Sequence, residues 1–189
     1  MLIFCLILAV LCGWLRGGTL GNIGTMRLKN SVFILLGLGL NIGITFIGAT
    51  GNDLVLQYIN ELYILSYVFL LIGIAFNVKY RAMIVIGLGT LANAVVFLVN
   101  RGVPISIEGL RMSGQGVLAD LVSSGEKLLY VPLSEATKIP IFSKMITVQI
   151  EIPFENIYSF GDIAIMVGLF ALVQFIMLND QMERFVRLR

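Results

Sequence analysis

The sequence predicts an all-α membrane protein, a five-helix transmembrane bundle with a small mixed extracytoplasmic cap. Of its 189 residues, 58% are hydrophobic and 13% are charged, whereas soluble globular chains are about 45–50% apolar and about 25% charged. The mean hydropathy is +0.97. Thirteen basic and eleven acidic side chains cannot cover the surface of a soluble fold of this size. The apolar excess therefore requires a lipid solvent.

The charged residues leave five long uncharged stretches, which are residues 1–15, 30–52, 62–78, 82–100 and 163–179. A spanning helix needs about 17–25 residues, and a charge at mid-bilayer costs at least ~2.5 kcal/mol. Four stretches are long enough, and the short first one is helped by Arg16, whose side chain can snorkel to the interface. Because no charge precedes the first stretch, it is predicted to be a retained helix rather than a cleavable signal peptide.

The distribution of lysine and arginine predicts the orientation of the chain in a plasma membrane. Eight of the 13 basic residues lie in the first connection, the third connection and the C-terminal tail. The second connection has none, and the other five lie in the long segment that begins at Arg101, which is a weak topology determinant. The positive-inside rule therefore predicts an outside N-terminus and a cytoplasmic C-terminus.

Three parts are expected along the chain: residues 1–100 with four spans, an extracytoplasmic segment over residues 101–160, and residues 161–189 with the fifth span and a cytoplasmic tail. About sixty residues are too many for a structureless loop. An apolar face on residues 117–122 predicts a short amphipathic helix lying on the bilayer or on the bundle.

Two stretches of this segment have the alternating pattern of strands. Apolar and polar residues alternate from Ile146 to Ile152, before Pro153, and again over residues 103–107. We expect these two stretches to pair in a small sheet. Ser159 and Asp162 have the S-x-x-D spacing of a capping box that starts the fifth span.

Small residues recur at helical spacing on three of the predicted spans, namely Cys5, Ala9 and Gly13; Gly39 and Gly43; and Ala164, Gly168 and Ala171. Such faces allow helices to approach closely in lipid. Packing within the chain is the favoured interpretation, and homodimerisation is the alternative. A GxGxxA spacing over residues 87–92 is also interpreted as helix packing, because no βαβ unit surrounds it to bind a dinucleotide.

Several chemistries are excluded by the residue inventory. The sequence has no histidine, which removes HExxH zinc sites, Ser-His and Cys-His pairs and haem ligation. Cys5 and Cys12 lie ~10 Å apart along one helix, beyond the reach of a disulfide. No catalytic residue, metal site or cofactor is therefore expected, and a net charge of +2 gives no basic face for nucleic acid.

Uncharged amides within the spans are the candidate intramembrane polar groups. They are Asn41, Asn93 and Gln174. An interhelical hydrogen bond worth about 0.6 kcal/mol is the simpler role, and the lining of a small pocket is the alternative.

A second candidate set lies at the membrane edges and comprises Arg16, Asn100, Arg101 and Asp162. Arg16 precedes two glycines and is interpreted as an inside-positive anchor. Asn100 and Arg101 terminate the fourth span. Arg101 is expected to pair with Asp162, or else to hold a lipid phosphate or another anion.

Four further stretches are LRGGTLGNIG at residues 15–24, NRGVP at 100–104, LSEATKIPIF at 133–142 and SFGD at 159–162. In this order they resemble a bacterial family of short multi-pass membrane proteins catalogued as a domain of unknown function. The resemblance covers nearly the whole chain and implies a polytopic helical protein of the plasma membrane without an established activity. Members often carry a histidine shortly before the L-[ST]-E-x-T stretch, where this chain has residues 127–130, so no histidine-based role is expected.

The favoured functional hypothesis is a non-enzymatic membrane component that binds a membrane lipid or a partner protein through the cap, with a homo-oligomer as a further possibility. The first alternative is a small transporter or facilitator whose path is lined by the three amides. The second is a membrane enzyme acting on lipid or peptide. That enzyme requires Asp162 and Arg101 to converge with Glu108 or Asp120 in one pocket at the outer edge.

Overall fold

The computed structural model describes residues 2–49, 57–126, 129–148 and 157–187, and these are mostly helical. In chain order the elements are α1 (Leu2–Leu15), a 3₁₀ helix (Leu20–Thr25), α2 (Ser31–Ala49), α3 (Ile59–Ala75), α4 (Arg81–Asn100), β1 (Val103–Ile105), α5 (Ile107–Met112), α6 (Gly116–Ser123), β2 (Tyr130–Pro132), a second 3₁₀ helix (Pro140–Phe142), β3 (Ile146–Thr147), β4 (Ile157–Tyr158) and α7 (Phe160–Arg187).

Each uncharged stretch of the sequence falls on one of the long helices α1, α2, α3, α4 and α7. By length and composition, Arg81–Asn100 and Phe160–Leu178 are able to cross a membrane, and Ile3–Leu15, Ser31–Phe46 and Ile59–Ala75 are shorter apolar helices. The predicted helices are therefore confirmed as helices. Their arrangement as five membrane spans remains a prediction.

The five long helices, here called the helical body, contact one another in the order α1, α7, α4, α3, α2. The last helix of the sequence thus lies between the first and the fourth. Glycines permit the close crossing of α7 with α4, because a Cβ on Gly89 would lie 2.5 Å from the Gly161 carbonyl oxygen and a Cβ on Gly168 would lie 2.6 Å from Cγ1 of Ile86. The GxGxxA spacing lies inside α4 and includes Gly89, which supports its interpretation as a packing motif.

The small-residue face of α1 packs within the chain, as predicted. Ala9 is fully buried, the Cys5 thiol donates to the Met166 carbonyl oxygen at 3.3 Å, and a Cβ on Gly13 would lie 2.6 Å from Sδ of Met177. This face fixes α1 against α7.

The favoured interpretation of the α2 face, packing within the chain, was wrong, because among the described residues a Cβ added at Gly39 or Gly43 would meet no neighbouring atom within 4 Å. Homodimerisation through this face remains a prediction. The contact with α3 instead uses Gly37, where a Cβ would lie 2.6 Å from Cγ of Leu70. At 100° per residue, Gly37 faces nearly away from Gly39, so the two cannot serve the same interface.

Residues 101–160, called the cap below, contain two short sheets in their described parts. β1 pairs in parallel with β2, and β3 pairs antiparallel with β4. The predicted pairing of residues 103–107 with residues 146–152 is therefore not formed at Ile146 and Thr147, although β1 makes a parallel bridge with Lys144 just before β3. Ser106 ends β1 because its Oγ accepts from the Gly109 N–H at 3.0 Å and caps α5. The later part of the predicted strand lies outside the described residues.

The cap has its own apolar core, formed by Ile105, Leu110, Ala119, Val122 and Ile157. The predicted amphipathic helix is present as α6, but it buries Ala119 and Val122 in this core while Val117 is 78% exposed. Part of its apolar face is therefore used inside the cap, and contact of α6 with the bilayer remains a prediction.

Candidate functional site

Two of the predicted residues meet at the middle of α7, on the side of the helical body remote from the cap, here called the remote end. Arg16 donates from Nη1 to Oε1 of Gln174 at 2.9 Å, and Gln174 donates from Nε2 to the Ala9 carbonyl oxygen at 2.5 Å. Gln174 is 7% exposed. Arg16 and Gln174 therefore join α1 to α7 through two hydrogen bonds.

The same end contains an asparagine that the sequence reasoning missed. Asn77 is completely buried, donates to the carbonyl oxygens of Lys29 and Gly73 at 2.8 Å each, and accepts from the Lys29 N–H at 2.8 Å. Its position near the end of an uncharged stretch was the available signal. Asn77 ties the connection before α2 to the end of α3.

At the cap end, Asp162, Ser159 and Asn93 form a closed hydrogen-bond network. Ser159 and Asp162 make the predicted capping box: the Asp162 N–H donates to Ser159 Oγ at 2.9 Å, and the Ser159 N–H donates to Asp162 Oδ2 at 3.0 Å. Asn93 donates to Asp162 Oδ1 at 2.8 Å and accepts from the Ser159 hydroxyl at 2.8 Å. This network fixes the start of α7 to α4.

The network borders a cavity of about 70 Å³. Water occupies ~30 Å³ per molecule in the liquid, and small-molecule pockets measure about 300–1,000 Å³, so this cavity has the size for a few waters rather than for an extended substrate. Its lining comes from α3, α4, α7 and the cap: Tyr63, Tyr67, Asn93, Val96, Phe97, Val103, Phe142, Lys144, Ser159 and Asp162.

The tyrosines and the lysine of this lining were not predicted from the sequence. The ring centroid of Tyr63 lies 4.7 Å from that of Phe97 and 5.2 Å from that of Tyr67. Lys144 comes from the segment beside β1, where its N–H donates to the Pro104 carbonyl oxygen at 2.9 Å. Tyrosines with one apolar face and one polar tip are typical of such half-buried positions, which was the available signal.

The predicted ion pair between Arg101 and Asp162 is not formed. Both carboxylate oxygens of Asp162 accept from neutral donors, and Arg101 is an exposed residue with a left-handed backbone, φ 53°, whose N–H caps α4 at the Phe97 carbonyl oxygen. In the part of the chain that the structure describes, the ion pair is Arg111 with Asp120, at 2.7 Å.

The other predicted groups lie apart from the cavity. Asp162 is the member of the proposed enzyme set that lines it, whereas Arg101, Glu108 and Asp120 are exposed elsewhere. Asn41 lies on α2, where its backbone carbonyl oxygen accepts from the Thr45 hydroxyl at 3.0 Å. The enzyme set therefore does not converge. The three amides likewise occupy three separate places.

Asn100 joins the end of α4 to the segment before the second 3₁₀ helix. Its side chain accepts from the Lys138 N–H at 2.8 Å and donates to the Lys138 carbonyl oxygen at 2.9 Å. Arg101, on one side of this double hydrogen bond, has φ 53°, and Ile139, on the other, has φ 55°. Ile139 and Ile141 are 40% and 57% exposed.

Within the described residues, no group of three or more His, Cys, Asp or Glu side chains has an arrangement that could hold a metal ion. The candidate site is the cap end of α4 and α7, and it is chosen for its cavity and hydrogen bonds rather than for a metal site. It contains the small cavity, the closed polar network and the Asn100–Lys138 contact.

Three of the four stretches that carry the family resemblance meet at this cap end. NRGVP supplies Asn100 and Arg101, LSEATKIPIF supplies Lys138 to Phe142, and SFGD supplies the capping box. Neither the comparison with curated proteins nor the comparison with solved structures finds a match. Residues 25–174 match the Family of unknown function (DUF5317), and the chain belongs to this family.

Proposed function

We propose that the protein is a non-enzymatic component of the plasma membrane that binds a membrane lipid or a partner protein through residues 138–142, here called the cap edge. The observation that carries this proposal is the Asn100–Lys138 contact. It fixes a segment with two exposed isoleucines at the end of a helix long enough to cross a bilayer. A rigidly held apolar edge beside a span is suited to binding rather than to covalent chemistry.

The five long helices are proposed to cross the bilayer, with the N-terminus outside and the C-terminus in the cytoplasm. Large apolar side chains are exposed on every one of them, including Leu11, Leu35, Val68, Leu88 and Val167. Exposed apolar surface on this scale is unfavourable in water and suits contact with lipid tails. The basic residues of the remote end support the same orientation.

The orientation is tested with two reporter proteins, one that is active only in the cytoplasm and one that is active only outside it. A reporter that works only in the cytoplasm, fused after Arg189, should be active, and a reporter that works only outside, inserted after Gly125 in the cap, should also be active. Both sites in the same compartment would contradict the proposal. Expression of each fusion is measured in parallel, so that a silent but well-expressed fusion counts against the topology.

The binding role is tested by photo-crosslinking in cells from a single position of the cap edge. A photoreactive residue at Ile141 should give a reproducible lipid or protein adduct, whereas the same residue at Val117, which is more exposed but lies on α6, should give less. Equal adduct profiles at the two positions would remove the cap edge from the proposal.

A small transporter or facilitator is the second candidate, and the cavity beside Asn93 and Asp162 is the observation that favours it. Against it, Gln174 is occupied by Arg16 and the Ala9 carbonyl oxygen at the remote end. Solute uptake that is lost in Asn93→Ala but retained in Asn41→Ala, at equal protein levels, would favour transport over binding.

A further inference from the structure

Two cationic residues have neighbouring backbones where α4 ends. Arg101 follows Asn100 in the sequence, and the backbone of Lys138 is bound twice by the Asn100 side chain. Both cationic residues are exposed, and neither forms an ion pair with any residue that the structure describes. Like charges fixed on adjacent backbone repel each other weakly in water, and an anion between them converts that repulsion into attraction.

The backbone at this point is strained on both sides of the contact. A non-glycine residue in the left-handed region costs on the order of 1–2 kcal/mol, and Arg101 and Ile139 both lie there. Ile139 is β-branched and precedes Pro140, two features that make the conformation less favourable still. Glycine would remove this cost at either position. A left-handed residue often ends a helix, as Arg101 does, whereas at Ile139 it is an outlier of the kind that clusters at functional sites.

Apolar surface accompanies the two cations. Ile139 and Ile141 are exposed beside Lys138. Leu98 and Val99, in the last turn of α4, are also exposed. A free phosphate ion makes no favourable contact with apolar side chains, whereas a phospholipid presents a phosphate and acyl chains together.

We propose that Arg101 and Lys138 bind the phosphate of an anionic phospholipid headgroup, with Ile139 and Ile141 against the adjoining acyl chains. This inference rests on the proposed membrane function and names its ligand.

The test uses the full-length protein purified in detergent, with lipid retention measured by native mass spectrometry. The wild-type protein should retain phosphatidylglycerol more strongly than phosphatidylcholine. Arg101→Gln and Lys138→Gln should each lower phosphatidylglycerol retention about fivefold, the loss expected for one cation at an anionic lipid surface. Arg111→Gln removes one charge from the same cap but from an existing ion pair, and should leave retention unchanged.

Two further variants separate binding from folding. Arg101→Gly relieves the backbone strain, so it should lose lipid retention while the protein melts at the same or a higher temperature. Excess inorganic phosphate should not displace the lipid, and full displacement would show a phosphate-ion site instead. Equal retention by Arg101→Gln and Arg111→Gln would overturn the inference. That result would leave the proposed function standing with a protein ligand, whereas failed topology reporters would contradict the proposed function itself.

Discussion

The two ends of the helical body hold their polar groups differently. Away from the cap, the buried Gln174 amide joins α7 to α1, whereas beside the cap the cationic residues Arg101 and Lys138 lie next to the Asn100 contact at the end of α4. Gln174 is almost fully buried, and both ends of its amide are used by Arg16 and Ala9. Near the cap, Arg101 and Lys138 are exposed without an ion pair among the described residues. Buried, satisfied polar groups stabilise a fold. Exposed cations also lie at the remote end, at Arg27, Lys29, Lys79 and Arg81, so the cap end differs in the Asn100–Lys138 contact and in the left-handed backbone on both sides of it.

Under the proposed function, this contrast predicts a structural role for the remote end and recognition at the cap end. Substitutions at the remote end should therefore change folding, and substitutions at the cap edge should change binding. Two features of the cap end are exceptions, since the helix crossing and the capping network there are also structural. The predictions below separate these contributions.

The largest effect is expected at the crossing of α4 and α7. In Gly161→Val the new Cβ would collide with Oδ1 of Asn93 and lie 2.8 Å from the Gly89 carbonyl oxygen. Both are held in place, so the helices must separate at a cost of about 3 kcal/mol. Thermal unfolding in detergent should show a large fall in melting temperature or loss of folded yield. Gly39→Val, where the added atoms meet open space, is the control, and an equal loss there would contradict the crossing.

The next effect is expected from the remote end. Asn77→Ala removes three hydrogen bonds from a fully buried side chain and leaves the Lys29 N–H without its acceptor, at a cost of about 2 kcal/mol. Asn41→Ala removes an amide from a half-buried position of α2 and should cost about 0.5 kcal/mol or less. Chemical unfolding of the two variants measures the difference in the free energy of unfolding. Similar decreases in the two variants would show that the three hydrogen bonds of Asn77 are not formed.

A smaller loss is expected from the capping network. Asp162→Ala leaves the Ser159 N–H and the Asn93 amide without their acceptors, at a cost of about 1–2 kcal/mol. Asp120→Ala breaks an exposed ion pair and should cost about 0.5 kcal/mol. Melting temperatures of the two variants, compared in one detergent, check this order. The reverse order would remove Asp162 from a structural role.

The smallest effect has the opposite sign. Ile139→Gly replaces a β-branched residue with φ 55° by the residue that adopts this conformation most readily, and should stabilise the fold by about 1 kcal/mol. Ile141→Gly, in the adjacent 3₁₀ helix, has no such strain to relieve and should not stabilise it. A lower melting temperature for Ile139→Gly would show that the side chain is needed for packing.

The helices could be predicted from the sequence because each coincides with a long apolar stretch that carries no charge. The capping box at Ser159 and Asp162 was also predictable, since both partners lie within one helical turn. Each of these features depends on residues close together in the sequence.

The predictions that were wrong concern contacts between residues far apart in the sequence. The partner of β1 could not be predicted because residues 130–132 show little alternation, and the ion pair of Arg101 was misassigned because Asp162 meets Asn93 and Ser159 first. The contact between Asn100 and Lys138 joins residues 38 positions apart. No local pattern indicates it. For this reason Lys138 was absent from the predicted site.

The central claim is that the cap edge at Ile141 lies in the bilayer surface while the rest of the cap does not. The direct measurement is quenching of a single tryptophan by brominated phospholipids in liposomes, with Trp14→Phe removing the native tryptophan. Ile141→Trp should be strongly quenched, and Val117→Trp, on the exposed face of α6, should be quenched weakly. Equal and weak quenching at both positions would contradict the account.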